Sequence, residues 1–256
     1  MTATFITRCW ENQAQTIASF SFKPTGSYRY EAGQYAVIAV PHTAPDNRGM
    51  SRTMTLSSSP GEALLKFSCR ISDTGKANSS GNSNNNGIGN SSSFKRSLMS
   101  LQPGDTVTIL DAMGDLVLPL DASIPLVFVA GGIGIASYVG MLQYLIENHD
   151  LRQISLHYAA NAADDMVFQT LIEQYCCLAQ MSVKLYVPGL LKTTYPAVVT
   201  HERMMATDIH NSIHTDSLVY LSGPENMVEP FRENLLELGV SNQQIIFDYF
   251  EGYISL

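Results

Sequence analysis

Cysteine is scarce in this chain. Four occur among 256 residues, at Cys9, Cys69, Cys176 and Cys177. None stands in a C-x-x-C pair or an iron–sulfur spacing, which argues against a structural zinc, a built-in cluster or a disulfide framework. Basic residues are few as well, with 15 Lys and Arg against 23 Asp and Glu for a net charge of −8. That balance lacks the positive footprint of a nucleic-acid binder. Long apolar runs are missing too. The best candidates, such as Ile124–Ala130, have the length of buried strands, far below the roughly 18 residues that cross a bilayer. The opening MTATFITRCW has no basic segment leading into an apolar one, so no secretory leader is expected. These absences point to a soluble, cytoplasmic protein without a membrane span.

The composition is that of a folded protein, with 45% hydrophobic and 15% charged residues. The length suits two domains of ordinary size. Up to about Leu120 the pattern is strand-like. Tyr35–Val40, Leu64–Ile71 and Thr106–Leu110 are short apolar runs set off by Pro and Gly turns such as Pro103-Gly104-Asp105, the pattern of a small antiparallel β-barrel or sandwich. From Asp121 strands and helices alternate. Strands are expected at Ile124–Ala130, Ile154–Ala159, Val183–Val187 and Leu218–Leu221, and helices at Ala136–Asn148, Met166–Cys177 and Met227–Leu238. That alternation predicts a parallel sheet in an α/β layered domain. The expected domains are residues 1–120 and 121–256, with Asp121–Pro125 as the joint. A Ser/Asn/Gly-rich run from Ser72 to Ser93 fits neither pattern. It buries too little apolar surface to offset its ordering entropy, and reads as a flexible surface insertion or a lid that orders over a ligand.

Three segments carry chemistry. Ile124–Ser137 reads strand, glycine turn, helix, with Gly131, Gly132, Ile133 and Gly134 at the turn. Glycines there let a ligand approach the backbone, and the helix aims free N–H groups at an anion such as a pyrophosphate. The same glycines would also serve tight helix–strand packing. Leu221-Ser-Gly-Pro-Glu-Asn-Met227 is a second strand-end turn before a helix, expected at the same sheet edge. In the first half, Ser51–Pro60 places Arg52, Met54 and Leu56 on one side and Thr53, Thr55 and Ser57 on the other. An arginine among hydroxyls suits a phosphate, or else is a solvated residue on an edge strand. His210 and His214 stand four apart near Asp208, but surface histidines are the simpler reading, and no metal site is assigned. Tyr28, Tyr30 and Tyr35 read as barrel packing.

In this order, SRTMTLSSSP, AGGIGIAS, LSGPENM and the final FDYFEGY resemble the flavin, nicotinamide-nucleotide, C-G-P-x-x-M and aromatic C-terminal motifs of the ferredoxin–NADP(+) reductase superfamily. The resemblance implies an N-terminal antiparallel β-barrel that binds flavin, followed by a Rossmann-like parallel α/β domain that binds NAD(P). By the same pattern Arg52 would bind flavin phosphate beside Thr53, Met54 would lie against the isoalloxazine, and Thr55 would bond near N5. Gly131, Gly132, Ile133 and Gly134 would cradle the dinucleotide. Ala160 and Asn161 would border its adenosine half. Ser222, Gly223, Pro224 and Met227 would border the nicotinamide, and Phe250 would lie near the flavin face. Thr55, Ser222 and Phe250 are the residues implied next to the reacting rings.

The departures from that pattern are specific. Met54 stands for an aromatic residue, Ser222 for a cysteine, and Ala136-Ser137 for Thr-Pro. Counting back from Leu101–Asp105 puts Lys95 at a usual phosphate-binding serine. No cation occurs in Tyr158–Asp165, and Asp164 and Asp165 end that stretch, so NADH is favoured slightly over NADPH. Lys184 or Lys192 are the other sources of charge considered. FAD is the expected flavin, with FMN as the alternative. The implied activity is hydride transfer from NAD(P)H to bound flavin and onward electron transfer to a separate acceptor: ferredoxin, flavodoxin, a haem or iron-reducing component, or a small oxidant. Lys95 with Arg96, or Lys23 with Arg29, are candidate basic patches for an acidic carrier. The alternative is a non-enzymatic flavin- or nucleotide-binding module in which one cofactor site has decayed.

Overall fold

A computed structural model describes residues 1–71, 92–179 and 181–250, with backbone only at 249 and 250. Of the Ser72–Ser93 run, residues 72–91, with their reading as an insertion or lid, lie outside the described residues, as does the chain after Phe250. Ser92 and Ser93 instead cap and open a helix rather than continuing the insertion.

The N-terminal part contains β1 (Thr2–Trp10), β2 (Ile17–Pro24), β3 (Tyr35–Ala39), β4 (Ser51–Thr55), β5 (Leu65–Arg70), α1 (Ser93–Ser100) and β6 (Thr106–Ile109). These strands form an antiparallel six-stranded sheet in the order β4-β3-β6-β1-β2-β5. The two outer strands meet just past the end of β4, where Leu56 bridges Phe67 and the Ser57 amide donates to the Lys66 carbonyl at 2.8 Å. That contact curls the sheet around a core of Phe5, Phe20, Phe22, Ile38, Leu56, Phe67 and Phe94. A bulge in β1 between Phe5 and Thr7 helps it bend. The α1 helix was not foreseen. Ser92 caps it, accepting from the Lys95 amide at 3.3 Å, and Phe94 and Leu98 anchor it in the barrel core.

The second part comprises β7 (Leu126–Gly131), α2 (Ile135–Glu147), β8 (Ile154–Ala159), α3 (Gln169–Leu178), β9 (Met181–Tyr186), β10 (Val198–Thr200), α4 (Ala206–His210), β11 (Leu218–Pro224), α5 (Glu225–Glu237) and β12 (Ile245–Phe250). Its sheet is wholly parallel, in the order β10-β9-β8-β7-β11-β12. Alternate residues of β7 serve the two faces. Phe128 and Ala130 pack with α2 and α3, while Val127 and Val129 pack with α4 and α5. Burial on both faces is why this strand reads as an unbroken apolar run. The chain proceeds outward from β7 through β8 and β9, then returns to the other side of β7 as β11. The crevice at the carboxyl ends of β7 and β11 is therefore a topological switch point, where sheets of this kind take ligands.

The α3 helix begins at Gln169 rather than Met166. Met166 and Val167 are buried plugs of the core, and Phe168 reverses the chain with φ 62°. Apolar spacing alone carried the expected helix through this stretch. The β11 strand runs on to Pro224, and α5 opens at Glu225, a carboxylate at the positive end of the helix. Among the described residues no helix is long and apolar enough to cross a membrane.

Candidate functional site

The two glycine-bearing turns lie against each other. Ser222 pairs with Ala130 in the parallel register of β11 and β7. Gly134 stands so close to β11 that a Cβ there would sit 2.2 Å from the Ser222 carbonyl oxygen. No acidic side chain occupies the first turn of α2 and no side chain caps it, which leaves the positive end of the helix unopposed, although the Ile135 amide is taken up by the 3-10 turn at Gly132–Gly134. Met227 closes the turn from α5, with its thioether against the Cα positions of Gly131 and Gly223. Gly131, Gly132, Ile133, Gly134, Ser222, Gly223, Pro224 and Met227 thus share one sheet edge.

The Ser222 side chain does not face that edge. It is fully buried, and its hydroxyl lies 3.0 Å from that of Ser137, which is fully buried as well. Two residues that depart from the resemblance, Ser137 and Ser222, therefore form one hydrogen bond, which ties the first turn of α2 to β11. Tyr138 adds a second tie, donating to the Val129 and Tyr220 carbonyls at 3.0 and 2.7 Å while stacked on Phe128 at 4.3 Å. The Ser222 hydroxyl is thus turned into the protein.

From the barrel, Thr55 reaches this edge. Its hydroxyl donates to Asp248 Oδ2 at 3.4 Å across the seam, and Asp248 is the register neighbour of Ser222 on β12. Thr55 and Met54 are buried, 5% and 8% exposed. Asp248 is a site residue that the sequence reading missed, because it sits within FDYFEGY, which was read for its aromatic residues. A carboxylate between aromatics in a strand was the available signal. The backbone of Phe250 pairs with Pro224, while its side chain lies outside the described residues.

Arg52 sits farther along β4. Its guanidinium bonds Asp46 Oδ1 at 3.0 Å and the carbonyls of Arg48, Gly49 and Ser51, and stacks over Phe94 at 5.4 Å. Asp46 also accepts the Ser93 amide at 3.1 Å. Desolvation opposes the Asp46 charge, yet hydrogen bonds from Arg48 and Ser93, with the Arg52 cation, lower its pKa to about 2. Arg52 is thus neither solvated nor free; it is held beside the start of α1, the helix that carries Lys95. Thr53 is exposed on the same strand. Ser57, Ser58 and Ser59 turn away from this side, toward Ser68, Tyr30 and Glu147 respectively.

The loop after β8 changes the argument about nucleotide choice. Ala160 is half-buried and Asn161 exposed, but Asp164 and Asp165 face the barrel. Asp164 accepts the Gln13 and Ala14 amides at 3.0 and 2.9 Å, and Asp165 pairs with Arg70 at 2.9 Å. Lys184 is bonded to Asp208 at 2.8 Å, and Lys192 is exposed in the loop after β9.

This architecture, an antiparallel barrel-like sheet followed by a parallel sheet with glycine-bearing turns at its switch point, has the fold of a solved ferredoxin NADP+ reductase. The oxidoreductase NAD-binding domain family matches residues 128–233. Flavohemoprotein A of Dictyostelium discoideum is 25% identical over 243 residues, covering 93% of this chain and 57% of that protein. The reductase component of propane 2-monooxygenase from Mycolicibacterium goodii is 25% identical over 265 residues, covering 95% of this chain and 66% of that protein. The chain therefore spans about three-fifths of the length of these relatives. A ferredoxin NADP+ reductase from Neisseria gonorrhoeae, solved with bound FAD and NADP, superposes with a TM-score of 0.71 over 97% of this chain and 98% of that one, at 16% identity. That likeness carries the fold.

Proposed function

We propose that this chain is a flavin-dependent NAD(P)H oxidoreductase that passes electrons to a separate acceptor. Residues 1–120 are read as the flavin domain and residues 121–256 as the nucleotide domain, working in the cytoplasm. One observation carries the proposal: Thr55 of the barrel bonds Asp248, the register neighbour of Ser222 in the glycine-bearing strand end at the switch point of the parallel sheet. The residues suit the cofactors: nothing lies within 4 Å of where a Cβ would stand at Gly132, which leaves the turn open to a ligand, and no acidic side chain occupies the first turn of α2.

When bound, FAD, or FMN in its place, supplies the conversion of a two-electron hydride into single electrons. This chain's residues bind and orient. Gly131, Gly132, Ile133 and Gly134 with the α2 amides hold the pyrophosphate of the nucleotide. The Gly223-Pro224 backbone and Met227 border the nicotinamide. Arg52, Thr53 and Lys95 serve the flavin phosphate, and Met54 lies against the ring. The Thr55 hydroxyl, anchored on Asp248, would bond the flavin edge; the Phe250 side chain, assigned by the resemblance to the flavin face, lies outside the described residues. Residues that hold both rings together at the seam would make hydride transfer an intramolecular step. Ala160 and Asn161 bring no cation to the adenosine ribose, which favours NADH; that preference does not rest on Asp164 or Asp165.

The acceptor is an oxygenase, a haem or P450-type protein, a ferredoxin or flavodoxin, or a small oxidant. The propane 2-monooxygenase relative is by its name a reductase component, which supports a separate partner. The test is an anaerobic absorbance titration of the purified protein with NADH and, separately, NADPH. Flavin bands that bleach with nucleotide are expected, at lower concentration for NADH. A protein that binds one cofactor without bleaching is the non-enzymatic binding module instead, and one that takes up neither FAD nor FMN sinks the reductase reading.

A further inference from the structure

We propose that Gly140 is the positioning residue that sets the distance between the flavin-binding and nucleotide-binding segments. The inference rests on the reductase reading and names the physical spacer within it. Gly140 lies in α2, where a Cβ would stand 2.6 Å from the Ser58 carbonyl oxygen and 3.1 Å from that of Leu56. Both are backbone atoms. No side-chain rotation relieves such a clash, so either the helix or the 56–58 segment moves as a unit. Glycine is a poor helix former, yet here it lets a helix rest directly on another domain's main chain.

The two ends of this contact lead to the two cofactor segments. Leu56 follows Thr55 directly and lies two residues beyond Met54. Gly140 lies six residues along the same helix from Gly134, about 9 Å at 1.5 Å per residue. The contact is thus a short rigid route from the barrel hydroxyl to the glycine cradle.

The barrel side of the joint cannot yield easily. Ser57 bonds Ser68 at 2.8 Å, and the Ser58 hydroxyl bonds Tyr30 at 2.8 Å and accepts the Lys66 amide at 3.0 Å. The Ser59 amide donates to Glu62 at 3.0 Å, and the Ser59 hydroxyl donates to Glu147 in the last turn of α2. A methyl group at 140 therefore pushes α2, and the cradle with it, away from Thr55.

The test is Gly140→Ala, with Gly26→Ala in a barrel turn as the control. Amide hydrogen exchange on the cofactor-free protein reads the joint itself. Faster exchange is expected in 56–62 and 135–147, with the rest of the chain unchanged. On flavin-loaded protein, stopped-flow reduction by NADH is expected to slow roughly 10- to 100-fold, while flavin affinity and reduction by dithionite stay as in the parent. A purely structural defect would instead lower flavin retention. Unchanged exchange together with unchanged NADH reduction overturns the proposal. If Gly140→Ala does not fold, Ser59→Ala loosens the same joint without a clash. It is then expected to raise exchange in the same segments and slow NADH reduction several-fold, and no change in either overturns the proposal. A parent protein that nucleotide does not reduce defeats the reductase reading, whereas the exchange result still decides the joint.

Discussion

Arg52 shows how much a single residue's meaning depends on its neighbours. Beside hydroxyls in the sequence it reads as a phosphate ligand or a solvated side chain. Folded, it is held by Asp46 and three carbonyls at the start of α1. Charge-assisted bonds to a phosphate contribute about 1.5–3 kcal/mol. Arg52→Gln is accordingly expected to weaken FAD affinity by roughly 10- to 100-fold in a fluorescence titration, and an unchanged affinity would remove Arg52 from the flavin site. Ser222 makes the complementary case. Its hydroxyl is buried on Ser137, so Ser222→Ala leaves the backbone at the edge in place. The expected result is a stability loss of about 1 kcal/mol in a urea melt, with the nucleotide dissociation constant altered less than threefold. A large rise in that constant would return the hydroxyl to the ligand.

Between elements, two polar ties stand out. His157 on β8 is buried between Tyr186 on β9 and Ser212 after α4, both at 2.9 Å. Desolvation, aided by the nearby Lys184 charge and opposed by Asp208, lowers its pKa to about 4. The unfolded chain takes up this proton near pH 6.5 and the native one only near 4, so protons favour unfolding between those values. The contribution is complete above about pH 6.5, falls as the pH drops toward 4 and is constant below. Its size is on the order of 3 kcal/mol. His157→Gln should flatten the melting temperature across that window, and an equally steep profile in the variant would assign the slope to other groups. The second tie is Arg70–Asp165, with side chains 13% and 11% exposed. Arg70→Met strands a buried carboxylate, at a cost of about 3 kcal/mol, or roughly 6–12 °C in a thermal melt of a chain this size. Asp165 also accounts for the misplaced start of α3: the loop is bound to the barrel, and no local periodicity reports a contact made nearly a hundred residues away.

For the whole molecule the governing quantity is the net charge of −8. Screening should therefore act in opposite directions on oppositely charged acceptors. Reduction of a basic haem protein is expected to slow as salt rises from 20 to about 200 mM (order-of-magnitude conditions for screening). Reduction of an acidic ferredoxin is expected to quicken over the same range. The same response for both would mean that a local patch, rather than the net field, meets the acceptor.

The amino-acid order alone determined the two kinds of sheet, because residue alternation and unbroken apolar runs are local consequences of which faces are buried. It also placed the glycine turns and most helices to within a few residues, since caps, glycines and apolar spacing act over one or two turns. Tertiary structure alone decided what the motif residues touch. Asp46 neutralises Arg52, Ser137 takes the Ser222 hydroxyl, the barrel claims Asp164 and Asp165, and Asp248 meets Thr55. Each is a contact between segments distant in sequence or set by a particular side-chain direction. Strand order fixes them, and strand order is settled by burying both faces of the whole sheet at once, a condition that no short stretch of residues records.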